Sequence, residues 1–187
     1  MTITTLDRET ALIIVDLQKG LMAAPTVHPM RDVVRQSSLL AEAFRRHGLP
    51  VVLVNVGGSA PGRNEHPRPA LERPADWNEI VPDLDPQPQD HRVTKRTWGA
   101  FSHTDLADYL ARRGVTQVVV TGVATSIGVE STARQAHELG FNVAIAIDAT
   151  SDPIAEAYTN SVMRIFPRLG ETGQTQEIIR LLDSVRR

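Results

Sequence analysis

The chain has 187 residues, with 20 lysines and arginines against 22 aspartates and glutamates, giving a formal net charge of -2. That length suits one domain with a sizeable core, and the balance lacks the basic excess that would point to nucleic acid. No cysteine is present, which excludes disulfides, cysteine-bound zinc and iron–sulfur clusters. There is no apolar run near the roughly 18 residues of a membrane span, and no leader-like start. A single cytoplasmic globular domain over residues 1–187 is therefore expected, with no membrane contact.

Ala11–Val15 is a short apolar run without polar alternation, which reads as a strand buried on both faces. Arg31–His47 follows as a helix with apolar positions at Val34, Leu39, Leu40, Ala43 and Phe44, closing at Gly48 before Pro50. Val51–Val56 is a second buried strand. The stretch Gly57–Gln89 holds most of the chain's 12 prolines and few apolar residues. It reads as a long irregular loop, either a lid or partner contact or a solvated excursion.

Val93 and Thr94 suggest a short strand. Thr104–Arg113 forms a helix running to Gly114, and Val118–Val120 a buried strand. A helix over Val129–Leu139 runs to Gly140, and a strand over Val143–Ile147 follows. A short strand is expected near Arg164–Phe166, then a final helix, Thr175–Val185. Buried strands alternating with helices that end in glycine predict an α/β three-layer sandwich, a mainly parallel sheet flanked by helices.

Three positions could carry chemistry. Asp16 ends the first strand, and in a parallel sheet the carboxyl ends of the strands face the ligand crevice. A carboxyl desolvated there is raised in pKa and suited to acid–base work; alone, it could equally cap the turn that follows. Lys95 ends the Val93-Thr94 strand, beside Trp98-Gly99-Ala100-Phe101, whose two aromatics around small residues suit a cavity wall. Without them it would read as a surface charge. Gly128 opens a helix, and amides from about Ala124 to Val129 would favour an anion there. The alternative is a glycine that lets the helix pack closely, with Thr125 or Ser126 only capping it. Ser126 and Ser131 do not share the direction of position 128 and read as capping or packing residues. His66 and His91 are scattered without ligand spacing, so no metal and no cofactor are expected.

The segments Ala11–Gln18, Lys95–Phe101, Thr121–Ala136 and Asp148-Ala149-Thr150-Ser151-Asp152 together resemble the isochorismatase-like superfamily. The resemblance implies a small-molecule hydrolase. Asp16 and Lys95 fill two places of the family's Asp–Lys–Cys triad, and Gly128 stands where the nucleophilic cysteine is often found. It also implies a cis peptide at Val123-Ala124 and an oxyanion hole from the Ala124 and Gly128 amides. Gln18, Trp98, Phe101 and Thr125 would line the pocket. A homo-oligomer is implied too, with the Gly57–Gln89 loop a plausible contact and Trp77 its anchor.

Two departures matter. Nicotinamidases of the family bind a metal through an Asp-x-His segment after the second strand, whereas here Val54–Ala60 supplies neither residue. The missing thiol removes the covalent route to amides. The family's isochorismatases cleave a vinyl ether without a cysteine, some with glycine at this position, using the Asp as general acid. The expectation is a cysteine-independent hydrolase of that kind, although a nearby Lys⁺ opposes desolvation in setting the carboxyl pKa. A ligand-binding protein that keeps the pocket without turnover, and an interaction protein acting through the proline-rich loop, remain open alternatives.

Overall fold

The computed structural model describes residues 3–65 and 73–185. Its strands are β1 (Thr10–Val15), β2 (Val51–Val56), β3 (His91–Lys95), β4 (Gln117–Val123), β5 (Asn142–Ser151) and β6 (Glu171–Gly173). Its helices are α1 (Met30–Arg46), α2 (Leu106–Arg112), α3 (Glu130–Glu138), α4 (Ala155–Asn160), α5 (Phe166–Leu169) and α6 (Thr175–Val185). A π-helical turn, Thr125–Val129, leads into α3, and another, Ser161–Ile165, joins α4 to α5.

The strands form one six-stranded sheet in the order β3-β2-β1-β4-β5-β6, and every neighbouring pair is parallel. Successive side chains of a strand point to opposite faces, and β1 divides accordingly. Leu12 and Ile14 join a core with Leu40 and Phe44 of α1 and Ile178 of α6. Ala11, Ile13 and Val15 join a second core with Leu106 and Leu110 of α2, Ala133 of α3 and Phe166 of α5. The sheet is therefore the middle of three layers, as the apolar runs without alternation predict. Helices α1, α2 and α3 each run to a glycine with positive φ: Gly48, Gly114 and Gly140, the left-handed ending expected of each.

One predicted element is wrong. No strand lies near Arg164–Phe166; the chain there is helical from the π turn into α5, and the short edge strand comes later, at Glu171–Gly173. The buried Phe166 and the partly buried Val162, Ile165 and Leu169 that pack beside it fall at the i, i+3, i+4, i+7 spacing of a helix face. Read over too short a window, that spacing resembles an apolar strand.

The topology fixes where a site can form. The order of strands reverses between β1 and β4, and a parallel sheet opens its crevice at such a reversal, outside the carboxyl ends. Gly122 lets the two strands meet there: its φ is +110°, and an added Cβ would fall 1.9 Å from the Val15 carbonyl oxygen.

The described part of the 57–89 loop is strapped across this same end. Ile80 bridges Gln18, and Lys19 Nζ lies 3.0 Å from Asp76 and 2.7 Å from Glu79. Farther along, Arg45 of α1 holds Asp90 at 2.6 Å in a largely buried ion pair.

Candidate active site

Asp16 follows the last residue of β1 and takes a left-handed backbone conformation, φ 57°. Its amide donates to the Val54 carbonyl at 2.8 Å, which anchors the turn to β2. Lys95 ends β3, two strands away across β2, a lateral distance of about 10 Å. Its side chain bridges that gap, and Nζ donates to Asp16 Oδ2 at 2.7 Å and to the Thr97 carbonyl at 3.3 Å. The pair is deeply enclosed, Asp16 being 5% and Lys95 2% exposed. The sheet thus brings together the two side chains expected to share a site.

Burial pushes the Asp16 carboxyl up to about 6, against the pull of the neighbouring Lys95 ammonium and its hydrogen bond. Desolvation of the charged form is the larger effect. Asp16 Oδ1 is buried without a protein partner, and so is Thr125 Oγ1. A buried acceptor without a donor is costly, so Oδ1 marks where a bound molecule would find its strongest polar contact.

Gly128 faces this carboxylate. A Cβ placed on it would lie 3.1 Å from Asp16 Oδ2, 3.1 Å from Val15 Cγ1 and 3.0 Å from the Val123 carbonyl oxygen. Its φ lies outside the left-handed region, so the glycine answers to space and not to backbone strain. The peptide bond Val123-Ala124 is cis, as the resemblance implies.

The amides of the turn are not all available to an anion. Ile127 and Val129 donate to the Ala124 carbonyl at 3.1 Å each. Ser126 donates its amide at 2.7 Å and its hydroxyl at 2.8 Å to Asp152 Oδ2. Of the stretch expected to bind an anion, Ala124, Thr125 and Gly128 are therefore the amides to consider. Ser126 lies inside the turn and does not cap it: its hydroxyl donates to Asp152 and accepts from no helix amide.

The residues expected to line a pocket divide. Thr125 is fully buried beside Gly128. Gln18 is also fully buried, but its amide is engaged by backbone: Oε1 accepts from Val56 N at 2.8 Å, and Nε2 donates to the carbonyls of Val56 and Trp77. It ties β1 to β2 and to the loop. Phe101 turns toward the α3 side, stacking on Phe141 with ring centroids 6.1 Å apart. Trp98 is 61% exposed.

Trp77 lies over Gly20, where an added Cβ would fall 2.1 Å from its ring, and Arg73 sits 4.0 Å from its centroid. It anchors its own loop. His91 stacks on Tyr109 and meets Asp105 at 3.1 Å, while His66 lies outside the described residues. Among the described residues no three His, Asp or Glu side chains gather as a metal site would require. After β2, Asn55 donates its amide to the Asn78 carbonyl. The described residues do not gather the donors that the metal of the family's nicotinamidases would need.

Two residues that hold the site have no assigned role in the sequence reading. Asp152, 1% exposed, accepts from Ser126 on Oδ2 and from the Ile154 amide at 3.0 Å on Oδ1, while its carbonyl accepts from Val27. It fixes the start of the Gly128 turn to the end of β5. Thr132 accepts from Ala100 N at 3.1 Å and donates to the Gly128 carbonyl at 2.7 Å, joining the 98–101 turn to the Gly128 turn. The available signal for Asp152 was its place just past a strand's carboxyl end, the same as that of Asp16.

Residues 10–177 match the isochorismatase domain model. A protein of Escherichia coli O157:H7 named as the isochorismatase family protein YecD is 42% identical over 182 residues, covering 94% of this chain and 97% of that one. The isochorismatase family protein YwoC of Bacillus subtilis is 40% identical, covering 92% and 93%. A solved isochorismatase family protein from Burkholderia thailandensis superposes with a TM-score of 0.93 at 39% identity, over 97% of this chain and 100% of the other. Fold, buried Asp–Lys pair, cis peptide and these likenesses agree, and the chain belongs to the isochorismatase family.

Proposed function

We propose that this chain is a cytoplasmic hydrolase that works without a thiol, a metal or a cofactor, cleaving a vinyl ether or a related acid-labile bond in a small anionic metabolite. The observation that carries this reading is Asp16, whose carboxyl is raised to about 6 with Oδ1 unpartnered opposite a glycine. A carboxyl near that value keeps a substantial protonated fraction close to neutrality and is a competent general acid.

In this mechanism Asp16 delivers its proton to the terminal carbon of the enol ether, and an oxocarbenium ion forms. Water adds to that ion and returns a proton to the Asp16 carboxylate. The hemiketal then breaks its carbon–oxygen bond to give a ketone and an alcohol. Lys95, fixed by Thr97, holds Asp16 in place and faces the substrate's anionic group, and the amides of Ala124 and Gly128 receive a carboxylate or the water. Thr125 lines the pocket beside them.

The reading is tested by assaying isochorismate, small amides and ureido compounds with wild type and Asp16→Asn. Turnover of the vinyl ether should fall at least a hundredfold in the variant, an order-of-magnitude expectation for a lost general acid. In wild type kcat/KM should decline as pH rises through about 6, because the protonated form is the active one.

A second reading is favoured by closure of the site. Asp16 and Lys95 are nearly sealed, and surface cavities of about 650, 440, 350 and 320 Å³ contain neither residue. A binding protein that keeps the pair without turnover accords with this. Ligand-induced thermal stabilisation with no product would establish it.

A further inference from the structure

Lys95 is held at both of its ends. Its carbonyl accepts from the Gly57 amide at 2.9 Å, which fixes its backbone beside β2. From there a flexible four-carbon stem leads to the ammonium. Among the described residues that group finds two acceptors, Asp16 Oδ2 at 2.7 Å and the Thr97 carbonyl at 3.3 Å. Apart from Asp16 itself, the Thr97 carbonyl is therefore the contact that decides where the charge sits.

The stretch 97–103 that carries this carbonyl belongs to no strand or helix. Among the described residues it forms no backbone–backbone hydrogen bond with another segment. Ala100 is buried and Phe101 packs on the same core, which sets how deeply the turn lies. Its polar fastening comes from two side chains of α3. Thr132 accepts from the Ala100 amide at 3.1 Å. Gln135 accepts from the Phe101 amide at 3.1 Å and donates through Nε2 to Ser102 Oγ at 2.6 Å. Positions 132 and 135 are i and i+3, neighbours on one helix face. Within the turn, Thr97 Oγ1 donates to the Gly99 carbonyl at 3.2 Å, so a shift of 99–101 carries Thr97 with it.

Gly99 shows how closely the glutamine is seated. A Cβ at 99 would collide with the Gln135 carboxamide, while φ there lies outside the left-handed region. Glycine is required at 99 by that carboxamide and not by the backbone. Both ends of the Gln135 amide are thus engaged by the turn, and the turn gives up a side chain to receive it.

We propose that Gln135 is a positioning residue of the active site, which sets where the Lys95 ammonium rests on Asp16 by holding the 97–102 turn to α3. Lys95 is the charged group that acts on Asp16. The other neighbours are uncharged: the end of β2 brings the Val54 carbonyl to the Asp16 amide, and the π turn brings Gly128. Loosening the turn takes the second acceptor away from the ammonium. Freed from it, the ammonium leaves Asp16, and the carboxylate loses part of the charge that opposes its proton. The effect on turnover rests on Asp16 being the general acid; the effect on the carboxyl does not.

The test is an infrared titration of the Asp16 carboxyl in the full chain, with Asp16→Asn as the blank and circular dichroism to confirm folding. Q135A should bind the Asp16 proton about threefold more tightly than wild type, a part of the tenfold or more that losing the opposite charge outright would bring. G99A should do the same, because its new Cβ displaces the glutamine, and it carries the test if Q135A does not fold. The double variant Q135A/G99A should match Q135A alone, since both changes act through one contact. With isochorismate, kcat in Q135A should fall about tenfold with KM changed less than about twofold, as for a misplaced catalytic group. A carboxyl that titrates in Q135A as in wild type, or at lower pH, overturns the proposal. So do effects of G99A and Q135A that add. A wild type with no turnover of isochorismate sinks the proposed reaction, while the titration still decides the role of Gln135.

Discussion

At the scale of single residues, Gly128 and Asp16 define each other. The carboxylate oxygen occupies the space a side chain at 128 would enter, with contacts of 3.0 to 3.1 Å on three sides of the missing Cβ. Because φ at 128 is not positive, Gly128→Cys should fold, with the Asp16 carboxylate shifting by a few tenths of an ångström. The introduced thiol stands next to Asp16 and Lys95, whose ammonium favours a thiolate below the free value of about 8.5. We expect it to react with iodoacetamide faster than free cysteine at pH 7, and Lys95→Ala in the same background to slow it. A folded variant with an inert thiol would show that the pair does not activate a nucleophile.

At the scale of elements, the site depends on how the loops at the carboxyl end are tied together. Asp152 is the strongest tie, a buried carboxylate receiving three hydrogen bonds from Ser126 and Ile154. Asp152→Ala leaves those donors without an acceptor in the interior and should cost about 2–4 kcal/mol in urea denaturation. Hydrogen exchange should accelerate at the amides of Ser126 and Ile154 before it does in β4. Asp152→Asn keeps an acceptor for Ser126 and should lose less. Equal losses in the two variants would mean that the hydrogen bonds at this position are not what holds the turn.

At the scale of the whole molecule, the active-site carboxyl is set against stability. Folding raises the Asp16 carboxyl from 3.8 to about 6. The folded state therefore binds its proton more tightly than the unfolded chain does, and this contribution is complete below about pH 4. It is lost as pH rises through about 6, amounting to about 3 kcal/mol by pH 7. Stability from urea melts should fall by roughly that amount between pH 4 and pH 7 relative to Asp16→Asn. Parallel pH dependence in the two proteins would show that Asp16 is not proton-linked to folding. The layers around the sheet tolerate such a cost because both faces of β1 and β4 are completely buried.

Much of this architecture is written locally in the chain. The apolar runs of β1, β2 and β4 lack alternation because helices cover both faces of the sheet, and α1 and α6 show their periods over 17 and 11 residues. Gly48, Gly114 and Gly140 mark helix ends because the left-handed conformation costs glycine nothing. Asp16 and Lys95 were legible as residues at strand ends, and Gly128 as the start of a helix. Other features depend on distant parts of the chain meeting. The strand order alone carries Lys95 across β2 to Asp16, 79 positions away in sequence. Tertiary packing alone leaves Trp98 exposed, engages Gln18 and Trp77 in fastening the loop, and makes Asp152 the hub of three segments. Burial by residues far apart in the chain also sets the Asp16 carboxyl near 6. A desolvation energy depends on what surrounds a group in space, so no reading of its sequence neighbours could have supplied that value.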